Sequence, residues 1–166
     1  MADIKSALIT DQEGGPPDQD FIDPRILGGV MRQVSITVPV AAADNDADVV
    51  RLCRVRSNWS IKHIWIYNDA ITAGTDYDVG LYTIDGGALV DVDAYENTVD
   101  LSSARTAVPY DAAFGTRNIN LVNQQVWQDA GATTDPNIEY DLAMLANTIG
   151  SAAGDITVIV EYTDGS

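Results

Sequence analysis

Residues 32–40 read Arg-Gln-Val-Ser-Ile-Thr-Val-Pro-Val. Apolar residues Val34, Ile36, Val38 and Val40 alternate with polar ones, and successive side chains of a β-strand point to opposite faces. The stretch therefore predicts a strand with one face in a hydrophobic core and the other in solvent.

The same period of two recurs along the chain. Apolar, β-branched segments are separated by turns rich in Gly, Asp and Pro, which is the pattern of a β-sandwich or barrel. With residues 32–40, the predicted strands are 49–56, 59–67, 77–84, 88–92, 117–122, 138–146 and 156–162, and residues 123–130 predict one helical turn. About eight short strands and no long helix predict an all-β fold, a jelly-roll-like β-sandwich of antiparallel strands.

Residues 59–67 are apolar on both predicted faces. Trp59, Ile61, His63, Trp65 and Tyr67 are expected on one face, opposite two isoleucines. Such a strand is typical of the centre of a sheet covered on both sides, or of a sheet that faces a neighbouring subunit. Trp59 and Trp65 are accordingly expected in the core or in a subunit interface.

Residues 1–30 differ from the rest, because acidic residues, prolines and glycine pairs favour extended or irregular backbone. The sequence predicts an extended N-terminal arm (1–30) followed by a β-sandwich domain (31–166). The arm is too apolar for a solvated tail, so it either orders against a partner or packs across its own domain. Its candidate partner-binding residues are Ile4, Leu8, Ile9, Phe21, Ile22, Ile26 and Leu27.

The chain of 166 residues carries 25 acidic and 9 basic residues, a formal charge of −16. Binding to nucleic acid or an anionic membrane needs clustered Lys and Arg, so we expect neither partner. The charge instead suits a soluble protein that docks onto a basic surface. No apolar stretch reaches the roughly 20 residues of a membrane helix, and the N-terminus lacks the pattern of a secretory signal, so we expect synthesis in the cytoplasm.

The residues that carry chemistry are few. His63 is the only histidine and Cys53 the only cysteine, which are too few for a zinc site, and no serine lies in a G-x-S-x-G sequence. We expect no enzymatic activity and no cofactor. Among the acidic residues of the loops, Asp91, Asp93 and Glu96 are a possible calcium site, although their spacing is not that of an EF-hand. Trp127 lies outside the predicted strands and is a possible sugar-stacking residue.

Several segments resemble a known family of virion proteins. They are Arg54–Ile61, Asp76–Tyr82, Val90–Tyr95, Tyr140–Ala143 and Ile156–Tyr162. Together they are similar to the capsid decoration (cement) proteins of tailed bacteriophages, which have a jelly-roll domain. The resemblance implies a structural protein on the capsid surface of the virion, made in the host cytoplasm, which binds the major capsid protein and has no catalytic residues. It also implies a homo-oligomer, and we expect a trimer because capsids offer local threefold positions.

One other function fits the same residues. Trp127 and calcium-loaded acidic loops would suit a carbohydrate-binding or host-attachment module of a phage tail or fibre. A hydrolase that uses a pair of carboxylates is a weaker interpretation, because loops with many acids always contain some pair.

Overall fold

The computed structural model describes residues 30–42 and 44–165. Except for Val30, the predicted arm lies outside the described residues, together with all seven of its candidate partner-binding residues. Eight strands form the domain: β1 (Met31–Val40), β2 (Val49–Arg56), β3 (Trp59–Asn68), β4 (Asp76–Thr83), β5 (Leu89–Val99), β6 (Arg105–Asp111), β7 (Glu139–Thr148) and β8 (Gly154–Asp164).

The strands form two four-stranded sheets in which all the pairs are antiparallel. Sheet 1 has the order β1-β8-β3-β6 and sheet 2 the order β2-β7-β4-β5. Except for the β4–β5 hairpin, every connection crosses from one sheet to the other. Eight strands wound in this way between two sheets make a jelly roll, which confirms the predicted fold class.

The core lies between the sheets and follows the alternation of the strands. In sheet 1, Ile64 lies opposite Val160 and Ile66 opposite Val158, and all four side chains are fully buried. Their counterparts in sheet 2 include Val79, Leu81, Leu142 and Met144. Each such side chain contributes about 1.5–3 kcal/mol relative to an exposed one, so this layer holds the sheets together.

Two segments differ from the prediction. Residues 117–122 are not a strand but contain a 3-10 turn (Ile119–Leu121), which the side chain of Asn118 caps by accepting a hydrogen bond from the Asn120 N–H. The strand that completes sheet 1 is β6, which the sequence pattern did not indicate. The predicted helical turn is confirmed as α1 (Val126–Asp129).

A wide irregularity in β5 depends on Gly80. Val79 pairs with Glu96 but Leu81 pairs with Asp91, so the four residues 92–95 of β5 lie opposite the single residue Gly80 of β4. A Cβ on Gly80 would lie 2.2 Å from the carbonyl oxygen of Asp91. Only glycine lets the two backbones approach this closely. Strand β5, which ends at Val99, is longer than the predicted strand of residues 88–92.

The described residues contain no helix that is long and apolar enough to cross a membrane.

Candidate binding surfaces

A β-bulge in β3 decides which aromatic rings face outward. Ile61 pairs with Tyr162 but His63 pairs with Glu161, so Lys62 is an extra residue in the strand. One extra residue reverses the direction of every side chain that follows it. The prediction that five alternating residues of this strand share one face is therefore wrong.

Before the bulge, the side chains of β3 face the core. Ile61 is fully buried, and the Trp59 ring stacks on Tyr162 with ring centroids 3.8 Å apart and packs against the core. After the bulge, Ile64 and Ile66 take over the inward direction. The half-buried rings of His63, Trp65 and Tyr67 consequently lie on the outer face of sheet 1.

These rings and a neighbouring isoleucine form a surface that we call the aromatic face, made of His63, Trp65, Tyr67 and Ile159. The His63 and Trp65 rings stack with centroids 4.8 Å apart, and Trp65 lies opposite Ile159 of β8. The His63 Nδ1 atom lies 2.7 Å from a carboxylate oxygen of Asp111, which orients the imidazole. An open groove of about 460 Å³ continues from Tyr67 and Ile159 towards Arg105.

The outer face of sheet 2 is different, because its side chains form ion pairs with one another. The Arg51 guanidinium lies 2.8 Å from Asp141 and above the ring of Tyr82, which is 5% exposed. Arg54 forms an ion pair with Asp85 on the same surface. This face therefore covers its aromatic ring with charges from its own chain.

The possible calcium residues lie on β5 but do not converge. The Asp93 N–H donates to Asp91 at 3.3 Å, and the pKa of Asp91 is raised by burial first and then by Asp93. Glu96 is 6% exposed and accepts a hydrogen bond from the Tyr110 hydroxyl. Among residues 30–42 and 44–165, no group of three or more His, Cys, Asp or Glu side chains is placed to hold a metal ion. Calcium binding stays a prediction without support from this geometry.

Trp127 lies on α1, which rests against the start of β3. Its indole N–H donates to the Gln125 side chain at 2.9 Å, and its backbone N–H donates to the Ser57 carbonyl at 2.9 Å. The indole N–H of this half-buried side chain is therefore already hydrogen-bonded within its own segment. Sugar stacking on Trp127 stays a prediction.

A buried polar cluster that the sequence did not indicate joins α1 to the sandwich. Arg117 and Asp129 lie 3.1 Å apart with side chains 2% exposed, and the Tyr95 hydroxyl donates to Asp129 at 3.1 Å. Burial raises the pKa of Asp129 to about 7, although Arg117 acts in the opposite direction. The guanidinium also donates to the backbone carbonyls of Leu121 and Gln124. The cluster fixes the long β6–β7 connection to the domain.

Cys53 is a half-buried side chain packed against the core. Burial, followed by the nearby Asp141 carboxylate, raises the pKa of its thiol to about 12. A thiol with so high a pKa is a poor nucleophile at neutral pH.

No protein-family model matches the chain, and no curated protein matches it in sequence. Solved structures do match. A chain in the capsid of Ralstonia phage GP4 aligns with a TM-score of 0.62 and 13% identity over 83% of this chain and 86% of that one. A chain in the capsid asymmetric unit of cyanophage Pam1 aligns with a TM-score of 0.52 and 19% identity over 81% and 85%. The protein therefore shares its jelly-roll fold with chains of two phage capsids.

Proposed function

We propose that this chain is a structural virion protein that decorates and stabilises a bacteriophage capsid by binding the major capsid protein. The observation that carries the proposal is the jelly-roll fold, which matches chains from two capsid structures over more than four fifths of this chain. Fold alone does not specify function, so the surfaces of the domain must also suit the role.

The charge distribution is one such property. The chain has a formal charge of −16, and the strands of sheet 2 contribute the partly exposed Asp76, Asp78, Asp91 and Asp93 along β4 and β5. Burial raises the pKa of Asp78, a hydrogen bond from Asn147 lowers it, and the neighbouring carboxylates of Asp76, Asp93 and the buried Glu96 raise it further. A basic patch on the capsid would relieve this repulsion, so the β4–β5 side suits docking onto the major capsid protein.

We further propose that the chain acts without catalysis, as a homo-oligomer on the outside of the capsid, after synthesis in the host cytoplasm. Cys53, the only cysteine, is a half-buried thiol packed against the core, which supports a structural role for this side chain. A trimer remains the expectation from capsid symmetry. No observation on Trp127 favours the alternative of a host-attachment module.

The proposal is tested by purifying virions that contain this chain on a density gradient and measuring its amount relative to the major capsid protein. A fixed ratio close to that of the capsid subunits is expected. A few copies per particle would instead indicate a tail or fibre protein, and absence from the particle would refute a virion role.

The arm is tested by deleting residues 1–30. The remaining domain has its own core and is expected to fold, which circular dichroism checks, while binding to capsids that lack the chain weakens by several kcal/mol as contacts of the arm disappear. Unchanged binding would show that the arm is not the anchor.

A further inference from the structure

The aromatic face has the composition of a protein interface. Trp and Tyr are enriched where partners bind, because they bury a large apolar area at a low cost in conformational entropy. Here Trp65 and Tyr67 lie half buried on the outside of the sandwich, beside Ile159. On the opposite sheet, by contrast, the Arg51–Asp141 ion pair covers the aromatic ring.

The strands of sheet 1 are also nearly neutral. They carry three Lys or Arg and four Asp or Glu residues, whereas the strands of sheet 2 carry three and seven. The outward side chains of β1 beside the aromatic face are the uncharged Gln33, Ser35 and Thr37, and the charged neighbour on β8 is Glu161, which lies opposite His63. Two copies of a chain with a formal charge of −16 repel each other, and this repulsion is smaller between two sheet 1 faces than between two sheet 2 faces.

The available area is close to what a stable contact needs. Strands β1, β8 and β3 have 10, 11 and 10 residues. At ~3.3 Å per residue and ~4.8 Å between strands, the four-stranded sheet presents an outline of roughly 600 Å². A standard interface buries about 800 Å² on each partner. The aromatic rings that project from the sheet and the edges of the groove add accessible surface area to the flat outline.

We propose that the aromatic face binds the aromatic face of a second copy of this chain. The inference rests on the homo-oligomeric part of the proposed function, specifies its surface, and replaces the trimer expected from capsid symmetry with a dimer. Because the same surface lies on both sides, the contact is isologous and closes at two copies. The acidic β4–β5 side of each copy stays free to meet a basic partner, so self-association and docking use opposite sheets.

The test is the mass of the full chain in solution, measured by light scattering or sedimentation equilibrium from micromolar to millimolar concentration. The wild type is expected at twice the 17.8 kDa of one chain. Ile159→Arg places a long charged side chain in the centre of the contact and is expected to weaken dimerisation on the order of 100-fold or more.

Two further variants separate the contact from folding. Ser35→Arg changes an exposed residue opposite Ile159, so it leaves the core intact and should also dissociate the dimer. Leu145→Arg adds the same charge to a half-buried leucine on the outer face of sheet 2 and should leave the dimer intact. Circular dichroism checks that each variant is folded.

A wild type with the mass of one or of three chains would overturn the proposal, as would arginine variants of sheet 1 that remain dimeric. Loss of the dimer in Leu145→Arg alone would overturn it as well, because sheet 2 would then be the interface. The measurement is made without capsids, so its failure is distinct from a failure of the virion experiment.

Discussion

The buried Arg117–Asp129 pair gives the sharpest prediction on stability. Arg117→Met keeps the length of the side chain but leaves the Asp129 carboxylate, 2% exposed, without its cation. Removing one partner of a buried ion pair costs about 3–5 kcal/mol, a large fraction of the ~5–15 kcal/mol by which domains are stable. The carbonyls of Leu121 and Gln124 also lose their donor. We expect a loss of this size in the free energy of unfolding by urea, followed by circular dichroism at about pH 8.

The loss in the free energy of unfolding caused by Arg117→Met should be smaller at about pH 5 than at about pH 8. Burial raises the pKa of Asp129 to about 7, so at the lower pH the carboxyl group is protonated and its burial without Arg117 leaves no bare charge. The control is Arg32→Met, which removes an exposed ion pair with Asp164 at 3.7 Å and should cost less than about 1 kcal/mol at both pH values. Equal losses in the two variants, or a loss in Arg117→Met that does not change with pH, would refute the role assigned to this pair.

Three other perturbations have defined outcomes. The folded-state pKa of Asp129 lies above its unfolded value of 3.8, so the stability that the group contributes at low pH is lost as the pH rises through about 7. The free energy of unfolding of Asp129→Asn should therefore rise relative to that of the wild type between about pH 5 and pH 8. A difference between the two proteins that stays constant in urea titrations over this range would contradict the prediction. Cys53, whose thiol pKa is raised to about 12, should react with iodoacetamide at about pH 8 much more slowly in the folded chain than in urea, and equal rates by mass spectrometry would show an exposed thiolate. Gly80→Ala should lower the thermal midpoint, because its Cβ would lie 2.2 Å from a backbone oxygen of β5 and overpacking costs about 1–3 kcal/mol. The control Gly131→Ala has open space around its Cβ but a φ of +73°, so it should cost about 1 kcal/mol.

Local periodicity was enough to predict most of the strands. The bounds of β1, β2 and β8 agree with the predicted strands to within two residues at each end. The alternating residues of β8 have one buried face, whereas in β1 only Val40 of the four alternating residues is buried. Strand β6 was missed because its sequence, Arg-Thr-Ala-Val-Pro-Tyr-Asp, has a proline and little alternation. Only three of its residues pair with β3, and an edge strand held so loosely needs no apolar pattern.

The prediction of a strand over residues 117–122 was wrong for the opposite reason. Ile119 and Leu121 alternate like strand residues but are 62% and 41% exposed, while the charged Arg117 is the buried member. Its burial depends on Asp129 and on backbone carbonyls, which are partners that no local pattern reveals. Tertiary contacts therefore override the periodicity in this connection.

The aromatic face was only half predictable. The apolar residues on both predicted faces of residues 59–67 correctly indicated a strand. The pattern could not reveal the extra residue at Lys62, because a bulge changes the pairing with β8 and leaves the sequence of β3 regular. That single residue separates Trp59, which packs against the core, from Trp65, which faces outward.

The position of β8 has a consequence for the timing of folding. It lies between β1 and β3 and pairs with both, yet it is the last of the eight strands to be synthesised. Ribosomes add about 5–20 residues per second, so roughly 4–17 s pass between the end of β3 at Asn68 and the start of β8 at Gly154. During that interval β1 and β3 have left the ribosome without the strand that joins them, and contacts as distant as Met31 with Thr163 form slowly. Sheet 1 therefore assembles only after β8 has emerged from the ribosome, and until then β1 and β3 lack the strand that pairs with both of them.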